Sequence, residues 1–331
     1  MRVVIDNAIP YIKGIIEPYS EVIYLPANKI TADIVDNADA LIIRTRTKCD
    51  KELLEGSSVK FIATATIGTD HIDIDYCTKH NIKVCSAPGC NARGVLQWVA
   101  AALHHIATTD NRPPESYTLG VVGVGNVGSL VSEYARHWGF NVIECDPPRK
   151  EREGGEYYTI EQIATKCDII TLHTPLNSTT YHLVNRKLIE MMLSDAIIIN
   201  ASRGEVVDNR AVTDSNHRYF FDVWEGEPNI EQRVLQGAEL ATPHIAGYSV
   251  QGKANATAMV VNALAHHFNL PLKDWYPESI KRTTPRPISW NELCATISEH
   301  YDIKKESLSL KNSPQDFEYL RNSYNYRKEY F

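Results

Sequence analysis

Three short segments offer an arginine, a carboxylate and a histidine at what read as separate strand ends. They are Asn200-Ala-Ser-Arg-Gly-Glu-Val-Val-Asp208, Asp222-Val-Trp-Glu-Gly-Glu-Pro228 and Thr242-Pro-His-Ile-Ala-Gly-Tyr248. Taken singly, Arg203 suits a surface ion pair, Glu227 a loop acid and His244 a packing histidine. Together they match what moving a hydride between a hydroxy acid and a dinucleotide requires. A guanidinium grips a carboxylate bidentately. An imidazole takes the hydroxyl proton as the hydride leaves, and a neighbouring carboxylate raises its pKa and fixes its tautomer.

A dinucleotide site precedes them. Gly123-Val-Gly125-Asn126-Val127-Gly128 follows an apolar β-branched run, Tyr117–Val122, and opens a stretch of helical spacing that stops at Gly139. The first glycine suits a tight turn, the second the approach of a pyrophosphate, and the third close helix–strand packing. The N–H groups of the helix start face the phosphates. A further strand, Asn141–Cys145, ends at Asp146, about 18 residues past the last glycine. Its carboxylate would accept from the adenosine ribose hydroxyls and repel a 2′-phosphate, which favours NAD over NADP. Arg149 and Lys150 read as a solvated loop.

Around these motifs the 331 residues alternate strand and helix twice. Strands are expected at Val3–Ile5, Glu21–Tyr24, Ala40–Arg44, Phe61–Thr64 and Lys83–Cys85, then at 118–122, 141–145, 168–172, 196–200, 219–223 and 238–242. The near-continuous apolar runs are those of a parallel sheet buried on both faces. This predicts an α/β protein of two doubly wound parallel-sheet domains, a Rossmann NAD domain and a flavodoxin-like partner. Residues 1–92 with 250–280 would form one domain and 93–249 the other. Residues 281–331, proline-rich and then polar with helical segments around 289–300 and 314–329, would form a small C-terminal domain. There Phe317, Leu320 and Tyr324 make an apolar stripe expected to be covered in a homodimer. Only about a dozen residues separate Asp208 from the strand ending at Asp222, too few for a full crossover helix plus strand, so either the element is trimmed or a piece of the natural chain is absent.

Net charge is −7 with 43% hydrophobic residues, which offers no electrostatic case for nucleic acid or an anionic membrane. Met1 leads straight into a strand, and seven cysteines show no CxxC pair, so a cytoplasmic protein with reduced thiols is expected. The adjacent pairs His104-His105 and His266-His267 point apart on helices, so no metal site is expected.

GVGNVG, the His173-Thr-Pro-Leu176 turn, NASRGEVVD, DVWEGEP and TPHIAGY together resemble the D-2-hydroxyacid dehydrogenase family, over roughly residues 1–270. The resemblance implies that Arg203 anchors the substrate carboxylate, Glu227 supports the histidine and His244 is the acid/base, while Glu225 is structural. It also implies that Thr174, Ala201, Ser202, Asp222 and Gly247 line the nicotinamide side of NAD. Details in Ala63–His71, Pro88–Asn91 and Asp146–Arg149, with the tail Asp316–Glu329, resemble a branch acting on a phosphorylated substrate. By that carry-over Thr45, Thr66 and Tyr248 contact the substrate. Arg44, Arg46 and Lys48 crowd one strand end, and Arg44 and Arg46 are candidates for its phosphate. A dehydrogenase of another 2-hydroxy acid, such as glycerate or 3-phosphoglycerate, shares most of these features, as does an NADH-sensing corepressor-like protein.

Overall fold

Residues 1–331 are described in a computed structural model, and the chain divides into two compact units. Met1–Asn91 and Val250–Arg282 form the first; Ala92–Ser249 and Thr283–Phe331 form the second. The first holds β1 (Arg2–Asp6), β2 (Glu21–Leu25), β3 (Ala40–Ile43), β4 (Phe61–Thr64) and β5 (Lys83–Cys85). They pair in parallel in the order β2-β1-β3-β4-β5, the flavodoxin-like order. Alternate residues of one strand enter different cores: Leu41 and Ile43 pack with Val35 and Leu53, Ala40 and Ile42 with Val260 and Leu264. With apolar contact required on both sides, the strands read as unbroken apolar runs.

The second unit holds β6 (Thr118–Val122), β7 (Asn141–Cys145), β8 (Ile169–Leu172), β9 (Ile197–Asn200), β10 (Arg218–Phe221) and β11 (Leu240–Ala241). These six also pair in parallel, in the order β11-β10-β9-β8-β6-β7. Strand order reverses between β6 and β8, so the glycine loop after β6 opens at the switch point, where doubly wound sheets bind ligands. Tyr158 N–H donates to Glu144 O at 2.8 Å, which sets that segment alongside the outer strand β7. The long helix Ala92–Asp110 buries Leu96, Trp98, Val99 and Leu103 against one face of the sheet. On the helix Asn126–Trp138, Gly139 takes a left-handed cap with φ 100°, and Phe140 N–H closes onto Ala135 O.

The short stretch after Asp208 is a trimmed crossover: the five-residue helix Asn209–Thr213, capped by the Asp208 carboxylate, is enough to reach β10. One expectation needs correction. The tail is not one helix over 314–329. Trp290–His300 is helical as expected, but Ile303–Asn312 forms a further helix and only Phe317–Asn322 is helical beyond Pro314. The stripe is also satisfied internally, because Phe317 is buried and Leu320 packs against the same core. No helix is long and apolar enough to cross a membrane.

Candidate active site

The glycine loop is dictated by close approach on two sides and open space on the third. Gly123 has φ +86°, and a Cβ there would lie 2.7 Å from His173 O. A Cβ on Gly128 would lie 1.9 Å from Gly123 O, whereas one on Gly125 would meet nothing within 4 Å. Beyond that open side the helix Asn126–Trp138 begins with unsatisfied N–H groups. Thr174 Oγ1, on the turn that follows β8, is buried without a hydrogen-bond partner. An open cradle, free amide donors and an orphaned hydroxyl fit a bound dinucleotide. His173 beside it is partly buried with its Nδ1 shut away from solvent, and burial pushes its pKa down to about 3.

Asp146 stands at the mouth of this loop. Its Oδ2 accepts from Val124 N–H at 2.7 Å and its Oδ1 from Arg149 N–H at 2.9 Å, capping the helix Pro147–Glu153. Arg149 is not in a solvated loop. Its Nη1 folds back to Val124 O at 2.6 Å and Ser129 Oγ at 3.1 Å, while Nε pairs with Glu153.

The arginine, acid and histidine follow β9, β10 and β11. At the end of β9, Asn200 Oδ1 accepts from the Ser202 N–H and hydroxyl, and its Nδ2 donates to Arg203 O at 2.9 Å. This cage orders Ala201, Ser202 and Arg203. At the end of β10, the buried Asp222 carboxylate accepts from Thr242 Oγ1, from Ile245 N–H at 2.8 Å and from Ala246 N–H at 2.9 Å. Burial pushes its pKa up, and the His244 charge with these donors opposes the rise. The same residue's carbonyl accepts from His244 N–H at 2.8 Å, so Asp222 holds the turn that carries His244 in a left-handed conformation of φ 56°. Trp98 and Trp224 fix Thr242 just before it through indole hydrogen bonds at 2.9 Å each.

Glu227 closes the group. Its Oε1 accepts from Trp224 N–H, and its Oε2 lies 2.8 Å from His244 Nδ1. Burial alone would raise the Glu227 pKa; the His244 charge and hydrogen bond, aided by Trp224 N–H, carry it below the ordinary value. His244 Nε2 makes no hydrogen bond within the chain, and the side chain is 29% exposed. That leaves one ring nitrogen oriented by an acid and the other presented outward. Glu225 instead pairs with His182 at 2.9 Å.

The candidate substrate residues of the first unit are organised differently. Arg44 Nε donates to the buried Asp6 at 3.1 Å, and exposed Lys48 pairs with Asp50, so the basic cluster is divided among local acids. Thr45 and Arg46 are exposed. Thr66 Oγ1 meets Thr64 Oγ1 at 2.6 Å, and Thr64 Oγ1 meets His71 Nε2 at 3.1 Å, a hydroxyl chain at the end of β4.

Motif reading missed the tail's part in this site. Arg327 donates to Ile245 O, Ala246 O and Gly94 O, with its guanidinium 4.3 Å from the Tyr301 ring centre. Glu329 accepts from Ser249 Oγ and Thr283 Oγ1, each at 2.6 Å. Tyr324 and Tyr326 set their rings against Tyr248. The segment therefore clamps the His244–Ser249 turn through its carbonyls. The only signal was a run of charges among tyrosines, whose partners lie from 46 to 233 positions away.

The D-isomer specific 2-hydroxyacid dehydrogenase NAD-binding domain matches residues 97–246. A protein of Bacteroides fragilis named erythronate-4-phosphate dehydrogenase is 44% identical, across 99% of this chain and 97% of its own length. A Photorhabdus laumondii protein of the same name is 36% identical, across 100% of this chain and 93% of its own. Among solved structures, cofactor-bound (NAD+) 3-phosphoglycerate dehydrogenase of Entamoeba histolytica superposes with a TM-score of 0.69 at 25% identity, across 86% of this chain and 99% of that one.

Proposed function

The chain belongs to the D-isomer specific 2-hydroxyacid dehydrogenases, among their erythronate-4-phosphate dehydrogenases, and on that premise we propose a specific reaction. It oxidises 4-phospho-D-erythronate to 2-oxo-3-hydroxy-4-phosphobutanoate with NAD, a step in pyridoxal 5′-phosphate biosynthesis. The observation that carries the chemistry is the His244–Glu227 pair, 2.8 Å apart, with His244 Nε2 turned outward.

Arg203 holds the substrate carboxylate as a planar fork. His244 Nε2 takes the proton from the C2 hydroxyl, and the ionised Glu227 stabilises the imidazolium that forms. Asp222 keeps that imidazole in place through the turn it organises. Gly123, Gly125, Asn126, Val127, Gly128 and Asp146 would hold the pyrophosphate and adenosine ribose, with Thr174, Ala201, Ser202, Arg203, Asp222 and Gly247 on the nicotinamide side. NAD, when bound, supplies the acceptor for the C2 hydride. Thr45, Thr66, Tyr248, Arg44 and Arg46 are the proposed substrate contacts outside the trio; Arg44 enters with one nitrogen already given to Asp6.

Turnover of a panel of phosphorylated and unphosphorylated hydroxy acids with NAD+ tests this reading. Preference for 4-phospho-D-erythronate supports it; preference for 3-phosphoglycerate or glycerate replaces the substrate. Tight NADH binding with no turnover of any acid would make the chain a sensor. Seven cysteines that form no disulfide favour a reducing, cytoplasmic compartment. A homodimer is supported by the tail, where Tyr319 and Leu308 are 69% and 60% exposed, more than any other large apolar side chains. Tyr319→Arg combined with Leu308→Asp should then sediment as a monomer.

A further inference from the structure

The chemistry above uses no residue beyond Tyr248, yet the tail brings a cation to that position. Arg321 lies in the last turn of the helix Phe317–Asn322 and is half-buried. Its Nε donates to Tyr248 Oη at 3.2 Å. Its charge also acts on Glu227, adding to the effects that depress that carboxyl. Glu227 takes no hydrogen bond from it; its two oxygens lie against Trp224 N–H and His244 Nδ1. Arg321 makes no ion pair within the chain, and the phenol is its one hydrogen-bond partner. The guanidinium is thus held by one edge and presents the other.

Burial works against this charge and Tyr248, Glu227 and Glu318 offset it, while the clamp made by Arg327 and Glu329 keeps the segment in place. We propose that Arg321 is a substrate-recognition residue that binds the phosphate of the hydroxy acid through its two terminal nitrogens, beside Tyr248 Oη. The proposal rests on the dehydrogenase reading and deepens it. Arg203 meets the carboxylate at one end of the substrate; a second anionic group needs a second fork. A planar guanidinium that meets two oxygens of a tetrahedral phosphate suits that group better than an ammonium does. Because Tyr248 accepts from Arg321, its own hydroxyl hydrogen points away from the guanidinium.

The test compares wild type, Arg321→Leu and Arg321→Lys, each with NAD present, on 4-phospho-D-erythronate and on unphosphorylated erythronate. A lost charge-assisted contact should raise KM for the phosphorylated acid about tenfold to hundredfold in Arg321→Leu. Arg321→Lys should fall between, and kcat/KM for erythronate should fall far less than for the phosphorylated acid in both variants. Calorimetric titration with inorganic phosphate should show weaker binding in the same order. Equal losses on both acids, or a pH profile displaced equally for both with phosphate binding intact, would show that Arg321 only positions Tyr248 or Glu227, and would overturn the proposal. NADH binding reports whether each variant is folded; if Arg321→Leu is not, Arg321→Lys carries the comparison. Should wild type not oxidise the phosphorylated acid, the proposed function fails. The titration then decides the inference alone: Arg321-dependent phosphate binding sustains it, and indifferent binding ends it.

Discussion

At the carboxyl ends of β10 and β11, His244 Nδ1 lies 2.8 Å from Glu227; at the amino ends of the same strands, His105 Nε2 lies 2.9 Å from Glu239. The distances are nearly the same and the surroundings are opposite. Arg218 grips Glu239 through Nε and Nη2 at 2.6 and 3.0 Å, and gives Nη1 to Asp110. Burial would raise the Glu239 carboxyl, but the His105 and Arg218 hydrogen bonds bring it down to about 2. His105 Nδ1 is buried and unpartnered, so that ring has no nitrogen to offer a substrate. Glu227 has only the histidine and one amide in contact, and His244 keeps Nε2 outward. A histidine–carboxylate distance therefore does not mark a reactive pair. The strand end it occupies, and what remains unengaged on the ring, do.

Breaking each pair should separate the two kinds of pair. His244→Ala should lower kcat/KM by about 10²–10⁴, the usual general acid–base contribution, with NADH affinity kept. His105→Ala should leave turnover nearly intact and lower Tm; comparable kinetic losses in both would dissolve the distinction. The arginines should divide in the same way. Arg203→Lys should cost about tenfold to hundredfold in kcat/KM, read by steady-state kinetics, because the fork is lost. Arg218→Lys should act on the melt alone.

Acid separates the carboxylates next. Glu239 is depressed from 4.5 to about 2, so its stabilisation is complete above about pH 4.5 and is lost as pH falls toward 2. Glu239→Gln should lower Tm at neutral pH and flatten its fall across that window. Glu227→Gln should instead move the pH–rate profile for oxidation to lower pH, since an amide no longer favours the protonated imidazole; an unmoved profile would remove Glu227 as partner. The smallest effect is expected at Asp146, where Asp146→Ala should relax the preference for NAD over NADP in paired binding titrations. Loosening at Val124 and Arg149 should accompany it.

What could be read from the chain alone was whatever depends on local chemistry. β4, Phe61–Thr64, lies where it was expected with all four residues buried, because a strand covered on both faces has little room for polar interruption. The glycine loop was legible for a similar reason, since steric demands leave few residue choices. Partners far apart in sequence were not. Nothing near Arg44 announces Asp6, and nothing near Asp222 shows that its oxygens organise Ile245 and Ala246. Arg149 read as solvated because its acceptors lie on the glycine loop, some 20 residues earlier. The tail misled most. Its stripe is real, but the segment is stabilised by tertiary capture, through Phe317 in the core and Arg327 on distant carbonyls, rather than by helix length.

The Arg327 clamp bears on the order in which the protein is made. A nascent chain that has left the ribosome as far as Asn312 already carries the glycine loop, Arg203, Glu227 and His244, with every strand of both sheets. It lacks the guanidinium that ties Ile245 and Ala246 to Gly94 and the carboxylate that secures Ser249. Competence should therefore arrive only once Arg327 and Glu329 have been made, after the sheets can pair. Chains released early should bind dinucleotide yet turn over poorly, which stalled translation products of graded length would reveal.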